Sequence, residues 1–187
     1  LVVFLQGCPF RCLYCANPDT IPFEGGTPTE AESIVRMAVN QKPFFGRRGG
    51  VTFSGGEPTM QAKDLLPLYA RLKEEGINIC IDTNGGAWNS DIEELLRQTD
   101  LVLLDCKQFN DARHESLTGR SNAQTIKTAE WLEQNGKPFW LRYVLVPGIS
   151  DFEEDIRALG ELLRFLSSTS VSSRMRRLPS TRRRHRV

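Results

Sequence analysis

At 187 residues, 40% apolar and 25% charged, the chain has material for one globular domain with a sizeable core, and no apolar run reaches the 18 residues of a membrane-spanning helix. Its net charge of +1 joins two unlike parts. All 23 acidic residues and 17 of the 24 basic ones precede residue 167, leaving that body at −6, whereas SSTSVSSRMRRLPSTRRRHRV carries seven arginines and no acid. No aromatic residue interleaves those arginines, so charge alone does not argue for nucleic acid as a partner.

Short β-branched runs near 1–6, 50–54, 77–82, 101–106 and 139–146 alternate with helical patterns near 28–41, 60–75, 89–98, 122–135 and 151–166. The alternation predicts an α/β fold of parallel strands with outer helices. Pro28, after Thr27, marks the expected first turn of the first helix; Gly76 and Gly136 follow helical runs as stop signals. Five such units cannot close an eight-stranded barrel and suit an open, partial one.

In chain order, each strand hands over to residues that carry chemistry. After the first, GCPFRCLYCAN sets Cys8, Cys12 and Cys15 in one loop. Three thiolates can hold three irons of a cubane [4Fe–4S] cluster and leave the fourth for an outside molecule. Structural zinc needs four ligands, and the other candidates, Cys80, Cys106, His114 and His185, stand alone. Cys80 and Cys106 lie in apolar runs, where cysteine is more often a small core residue.

After the second strand, VTFSGGEPTMQ places Ser54, Gly55, Gly56 and Glu57 where paired glycines admit a close approach and a carboxylate can take an ammonium group. A plain strand-to-helix turn has the same signature. The third and fourth strands end on Asp82, Thr83 and Asn84 and on Asp105 and Lys107, the end where α/β folds assemble sites, though turns and caps use the same residue types. In WLRYVLVPG, Trp140, Arg142 and Val144 share one strand face, so the arginine needs an anionic partner.

Together these phrases resemble a known family. CxxxCxxC with Tyr14 before its last cysteine is similar to the signature of the radical S-adenosylmethionine (SAM) superfamily. FLQGCPFRCLYCANPDT, SGGEPTMQ, IDTNG, LLDCKQFND, LTG and WLRYVLVPGISD, spread over residues 1–166, resemble the activating enzymes of pyruvate formate-lyase. The resemblance implies a six-unit (β/α)6 TIM-like partial barrel, here lacking its last strand. It implies a [4Fe–4S] cluster on Cys8, Cys12 and Cys15, with SAM chelating the open iron. Reductive cleavage of SAM then yields methionine and a 5′-deoxyadenosyl radical, which removes a hydrogen from a glycine Cα of a partner enzyme.

The same resemblance implies SAM contacts from Tyr14, Cys15 and Ala16 in the loop, from the Gly55, Gly56 and Glu57 motif for the SAM amino group, and from Cys106, Lys107 and Arg142. Asp82 and Asp105, with backbone carbonyls near Thr83 and Leu103, would hold a monovalent cation against the SAM carboxylate, since like charges there would otherwise repel. Flavodoxin or ferredoxin is the implied reductant. Relatives with an inserted ferredoxin-like stretch carry extra cysteines between positions matching Thr20 and Thr52; none stands there, which favours pyruvate formate-lyase as target. An oxygen-sensitive cluster implies a reducing cytoplasm, and the lack of an 18-residue apolar run argues against a membrane as partner.

The pattern departs at Ala16, where the family often has a polar residue, and at Cys106, where it usually has an aliphatic one. The start lacks the family's upstream segment. Residues 167–187 replace an expected strand and a histidine-bearing segment, and read as a disordered basic tail or a frame-shifted stretch. Two other readings share these residues: a radical SAM enzyme acting on a small molecule, and an inactive truncated relative.

Overall fold

The computed structural model describes residues 1–47 and 49–169. Five parallel strands, β1 (Val2–Leu5), β2 (Gly50–Gly55), β3 (Asn78–Thr83), β4 (Leu101–Asp105) and β5 (Phe139–Arg142), lie side by side in chain order. Each crossover is helical: α1 (Ala31–Phe45), α2 (Ala62–Glu74), α3 (Ser90–Gln98), and the pair α4 (Asp111–Thr118) and α5 (Ala123–Gln134), with α6 (Glu153–Thr169) following β5. Because all five strands run the same way, the stretches that follow β1 to β4 gather at one end of the sheet.

Alternation along the strands gives the sheet two unlike faces. Val51, Phe53, Ile79, Ile81, Val102 and Leu104 are fully buried against the helices. Leu65, Leu68 and Leu72 of α2 bring a helical stripe onto them, and Phe53 meets Tyr69 with ring centroids 4.9 Å apart. Each such side chain contributes about 1.5–3 kcal/mol. The opposite face carries Thr52, Ser54, Cys80, Asp82, Leu103 and Asp105, all only partly buried, with exposed Phe4 and Trp140 on the edge strands. Register sets Ser54 beside Phe4, Asp82 beside Leu103, and Asp105 beside Arg142.

Two boundaries and one element differ from expectation. The first helix starts at Ala31 rather than Pro28, because Glu30 keeps an extended backbone (ψ 133°). The last strand ends at Arg142 instead of residue 146; Ser150 Oγ donates to Val144 O and Val146 N donates to Ser150 Oγ, folding the segment back on itself. Helix α4 was not expected at all. The predicted basic tail lies outside the described residues except for the last turn of α6, which runs on to Thr169. Among the described residues no helix is long and apolar enough to cross a membrane.

Candidate active site

The cysteine loop is fixed at its base by backbone hydrogen bonds. Gly7 N donates to Thr20 O, Cys8 N to Ile21 O, Gly56 N to Leu5 O and Glu57 N to Gly7 O, all between 2.8 and 3.0 Å. Gly55 and Gly56 make that lacing possible. Gly55 has φ +106°, and a Cβ on Gly56 would fall 2.4 Å from Gly7 O and 2.7 Å from Thr20 O. The paired glycines therefore bring backbone against backbone, where the sequence suggested backbone against ligand.

The far side of the loop docks on the C-terminal end of α4. Helix ends leave carbonyls without partners, and two of them accept from the loop: Arg11 N to Thr118 O at 2.7 Å and Leu13 N to Leu117 O at 3.0 Å. Phe10 is buried between, edge-on to His114 with centroids 5.4 Å apart. Tyr14 turns the other way, and its hydroxyl donates to Lys107 O at 3.2 Å.

These constraints set Cys8, Cys12 and Cys15 around a cavity of about 320 Å³, which Tyr14, Ala16, Gly55, Gly56, Glu57, Asp82, Asp105 and Lys107 also line. A second cavity of about 420 Å³ opens at the opposite end of the strands, among Leu1, Val2, Phe44, Phe45 and the start of β2. The smaller one holds the three-cysteine loop together with Asp82, Asp105 and Lys107. Burial pushes the Cys8 thiol up to about 11 and raises that of Cys12, where the Lys107 ammonium pulls the other way. Both thiols are protonated at neutral pH until a metal displaces the proton. Among the described residues no three His, Cys, Asp or Glu side chains converge on one metal ion; the thiolates of a cubane bind separate irons and need no such convergence.

Glu57 behaves unlike the motif argument. It is fully buried, and its carboxylate accepts from Thr59 N (3.1 Å), Thr59 Oγ1 (2.7 Å), Thr83 Oγ1 (2.6 Å) and Asn84 N (2.7 Å). Burial raises its pKa, with those four donors opposing. The carboxylate ties β2 to the end of β3, and its oxygens are engaged within the chain.

Asp82 and Asp105 instead face the cavity with charged partners. Arg142 bridges them, its Nη2 paired with Asp82 Oδ1 and its Nε 2.7 Å from Asp105 Oδ1; Lys107 Nζ lies 2.7 Å from Asp105 Oδ2, and Ser54 Oγ donates to Asp82 Oδ2 at 3.1 Å. Burial raises the Asp82 pKa, and Arg142 counters it. Two cations thus balance two carboxylates. Arg142 reaches the pair from β5 without lining the cavity, and Cys106 does not line it either: it is 1% exposed, and burial pushes its thiol up to about 12. Asn84 was noted in the sequence only as a strand-end residue; its side chain lies on the cavity, with Nδ2 donating to Cys8 Sγ at 3.7 Å.

A parallel open sheet with a three-cysteine loop at its C-terminal end defines a class, and the radical SAM superfamily profile matches residues 2–162. The chain is 42% identical over 175 residues to the pyruvate formate-lyase-activating enzyme of Streptococcus mutans, covering 89% of this chain and 66% of that one. It is 43% identical over 166 residues to the pyruvate formate-lyase 1-activating enzyme of Escherichia coli K12, covering 87% and 68%. The crystal structure of Streptococcus suis SuiB bound to precursor peptide SuiA superposes with a TM-score of 0.73 at 20% identity, over 89% of this chain and 36% of that one, which supports the fold. The chain belongs to the radical SAM superfamily and, within it, to the pyruvate formate-lyase-activating enzymes. That superfamily works with a [4Fe–4S] cluster and SAM. The chain spans 66% of the length of the first of these relatives and 68% of the second.

Proposed function

We propose that this chain is the catalytic part of an activating enzyme that generates a glycyl radical on a partner, with pyruvate formate-lyase as that partner. The observation that carries the reading is the meeting of three thiols and the Asp82, Arg142, Asp105, Lys107 network across one cavity. In this reading Cys8, Cys12 and Cys15 hold the cluster. When bound, the cluster and SAM supply the one-electron cleavage of a sulfonium and the removal of a hydrogen atom from a glycine Cα.

The chain's own residues bind and orient. Tyr14 lines the cavity with its hydroxyl anchored on Lys107 O. Lys107 presents positive charge to the SAM carboxylate at the cavity, and Arg142 adds its charge from behind, through Asp82 and Asp105, which hold both cations in place. A monovalent cation bound at Asp82 and Asp105 would share their oxygens with Arg142. Glu57 acts through the backbone it orders at Thr59 and Asn84, and the carbonyl groups of Gly55 and Gly56, which line the cavity, accept from the SAM amino group. A flavodoxin or ferredoxin in a reducing cytoplasm provides the electron.

The test is anaerobic reconstitution, followed by SAM and a strong reductant. 5′-Deoxyadenosine should form, and a glycyl radical signal should appear on adding pyruvate formate-lyase. Deoxyadenosine without that signal would move the substrate to another class. Cys12→Ser should lose the cubane, with iron and sulfide counts falling severalfold, and a full cluster in that variant would remove Cys12 from the ligand set.

A further inference from the structure

Asn84 follows the last residue of β3, and four hydrogen bonds fix both its backbone and its side chain. It is 6% exposed. Its N donates to Glu57 Oε2 at 2.7 Å, its O accepts from Thr125 Oγ1 at 2.7 Å, and its Oδ1 accepts from Gly86 N at 2.8 Å. The remaining group, Nδ2, donates to Cys8 Sγ at 3.7 Å. The amide cannot turn over, because that would set its NH2 against the Gly86 N–H and its oxygen against the sulfur.

The surroundings protect this aim. A Cβ on Gly86 would lie 2.5 Å from the Phe10 ring and 3.0 Å from Asn84 Oδ1, so only glycine lets Phe10, Gly86 and the amide pack together. Glu57, buried and bonded on both oxygens, sets the backbone from which the amide projects. Three elements, the loop after β2, helix α5 and the cysteine loop, therefore converge on the orientation of one N–H.

A donor directed at a ligand sulfur stabilises the extra negative charge that a cluster acquires on reduction, and such bonds are among the levers that set iron–sulfur potentials. We propose that Asn84 is a positioning residue that raises the reduction potential of the cluster through its hydrogen bond to Cys8. This rests on the reading of Cys8 as a cluster ligand. Asn84→Leu fills a similar volume and removes the donor; Asn84→Asp keeps the acceptor for Gly86 and turns an oxygen toward the sulfur.

The experiment is a redox titration of the anaerobically reconstituted chain, followed by electron paramagnetic resonance, on the unmodified protein and both variants. Asn84→Leu should hold the same iron and show about tenfold less reduced cluster at a fixed potential, a downward shift of about 59 mV for a one-electron couple. Asn84→Asp should shift at least as far. An unchanged midpoint in either variant at full iron content overturns the proposal. A second measurement needs no change at Asn84: Asn17 is the other asparagine that lines the cavity, and in Asn17→Ala protein labelled with side-chain 15N asparagine, pulsed resonance on the reduced cluster should detect one 15N coupling, whose absence likewise overturns the proposal. A chain that takes up no iron instead defeats the proposed function, and this inference with it.

Discussion

Glu57 and the pair Asp82 and Asp105 stand at the ends of three neighbouring strands, yet the fold treats their carboxylates in opposite ways. Glu57 is walled in and satisfied by neutral donors from Thr59, Thr83 and Asn84. The aspartates open on the cavity and are met by Arg142 and Lys107. A buried carboxylate with four internal bonds is a structural tie, because any ligand would have to replace bonds the chain already makes. A partly exposed pair held by cations can exchange partners with a charged ligand at modest cost. The same chemical group, a carboxylate, thus serves as scaffold on one side of the loop and as site on the other.

The largest effect should come from breaking the scaffold side. Glu57→Ala strips the acceptor from buried donors at Thr59, Thr83 and Asn84, and should cost about 3 kcal/mol or more in urea unfolding of the metal-free chain. A cost below about 1 kcal/mol would erase the contrast. Arg142→Ala probes the other side: stability should change by less than about 1 kcal/mol, while SAM affinity of the loaded chain, measured by calorimetry, should fall about tenfold, or 1.4 kcal/mol. Equal losses in both measurements would make Arg142 scaffold as well.

A smaller effect sharpens the role of α4 beneath the cysteine loop. His114 is fully buried with Nδ1 2.6 Å from Arg120 O and Nε2 without a partner, and burial holds its pKa below the usual histidine value. The folded chain then refuses a proton that the unfolded chain accepts. Its contribution is present above pH about 6.5 and lost as pH falls below it. Urea unfolding at pH 7.5 and 5.5 should show a loss of about 1 kcal/mol on acidification that His114→Asn reduces. The smallest expected signal is kinetic: with the Cys8 thiol pushed up to about 11 by burial, alkylation of Cys8 in the metal-free chain should be slow at pH 8 and climb steadily towards pH 11. A thiol that reacts like free cysteine at pH 8 would contradict the buried setting.

Much of the frame was legible because its signals are periodic or local. Alternating β-branched runs and helical stripes fixed the order of five strands, and the cysteine spacing needed no tertiary information. Arg142 among apolar neighbours on one strand face called for an anionic partner, and two are present. Helix α4 escaped because DARHESLT has no apolar stripe; its signals were the ends, Asn110 capping Arg113 N and Gly119 in the left-handed region at φ 77°. Glu57 was misjudged for a different reason. A sequence shows a charge next to glycines and a local partner in Thr59, but the donors on Thr83 and Asn84 stand 26 and 27 positions away and are brought in by the parallel pairing of β2 and β3. Asn84 belongs with it, since the target of its amide lies 76 residues back, across the sheet.

The most direct measurement is electron paramagnetic resonance of the anaerobically reconstituted, reduced chain before and after adding SAM, with iron and sulfide counted on the same sample. Four irons per chain and a cubane signal that changes when SAM is added are the predicted result. A bound zinc in place of iron, or a cubane indifferent to SAM, would contradict the account.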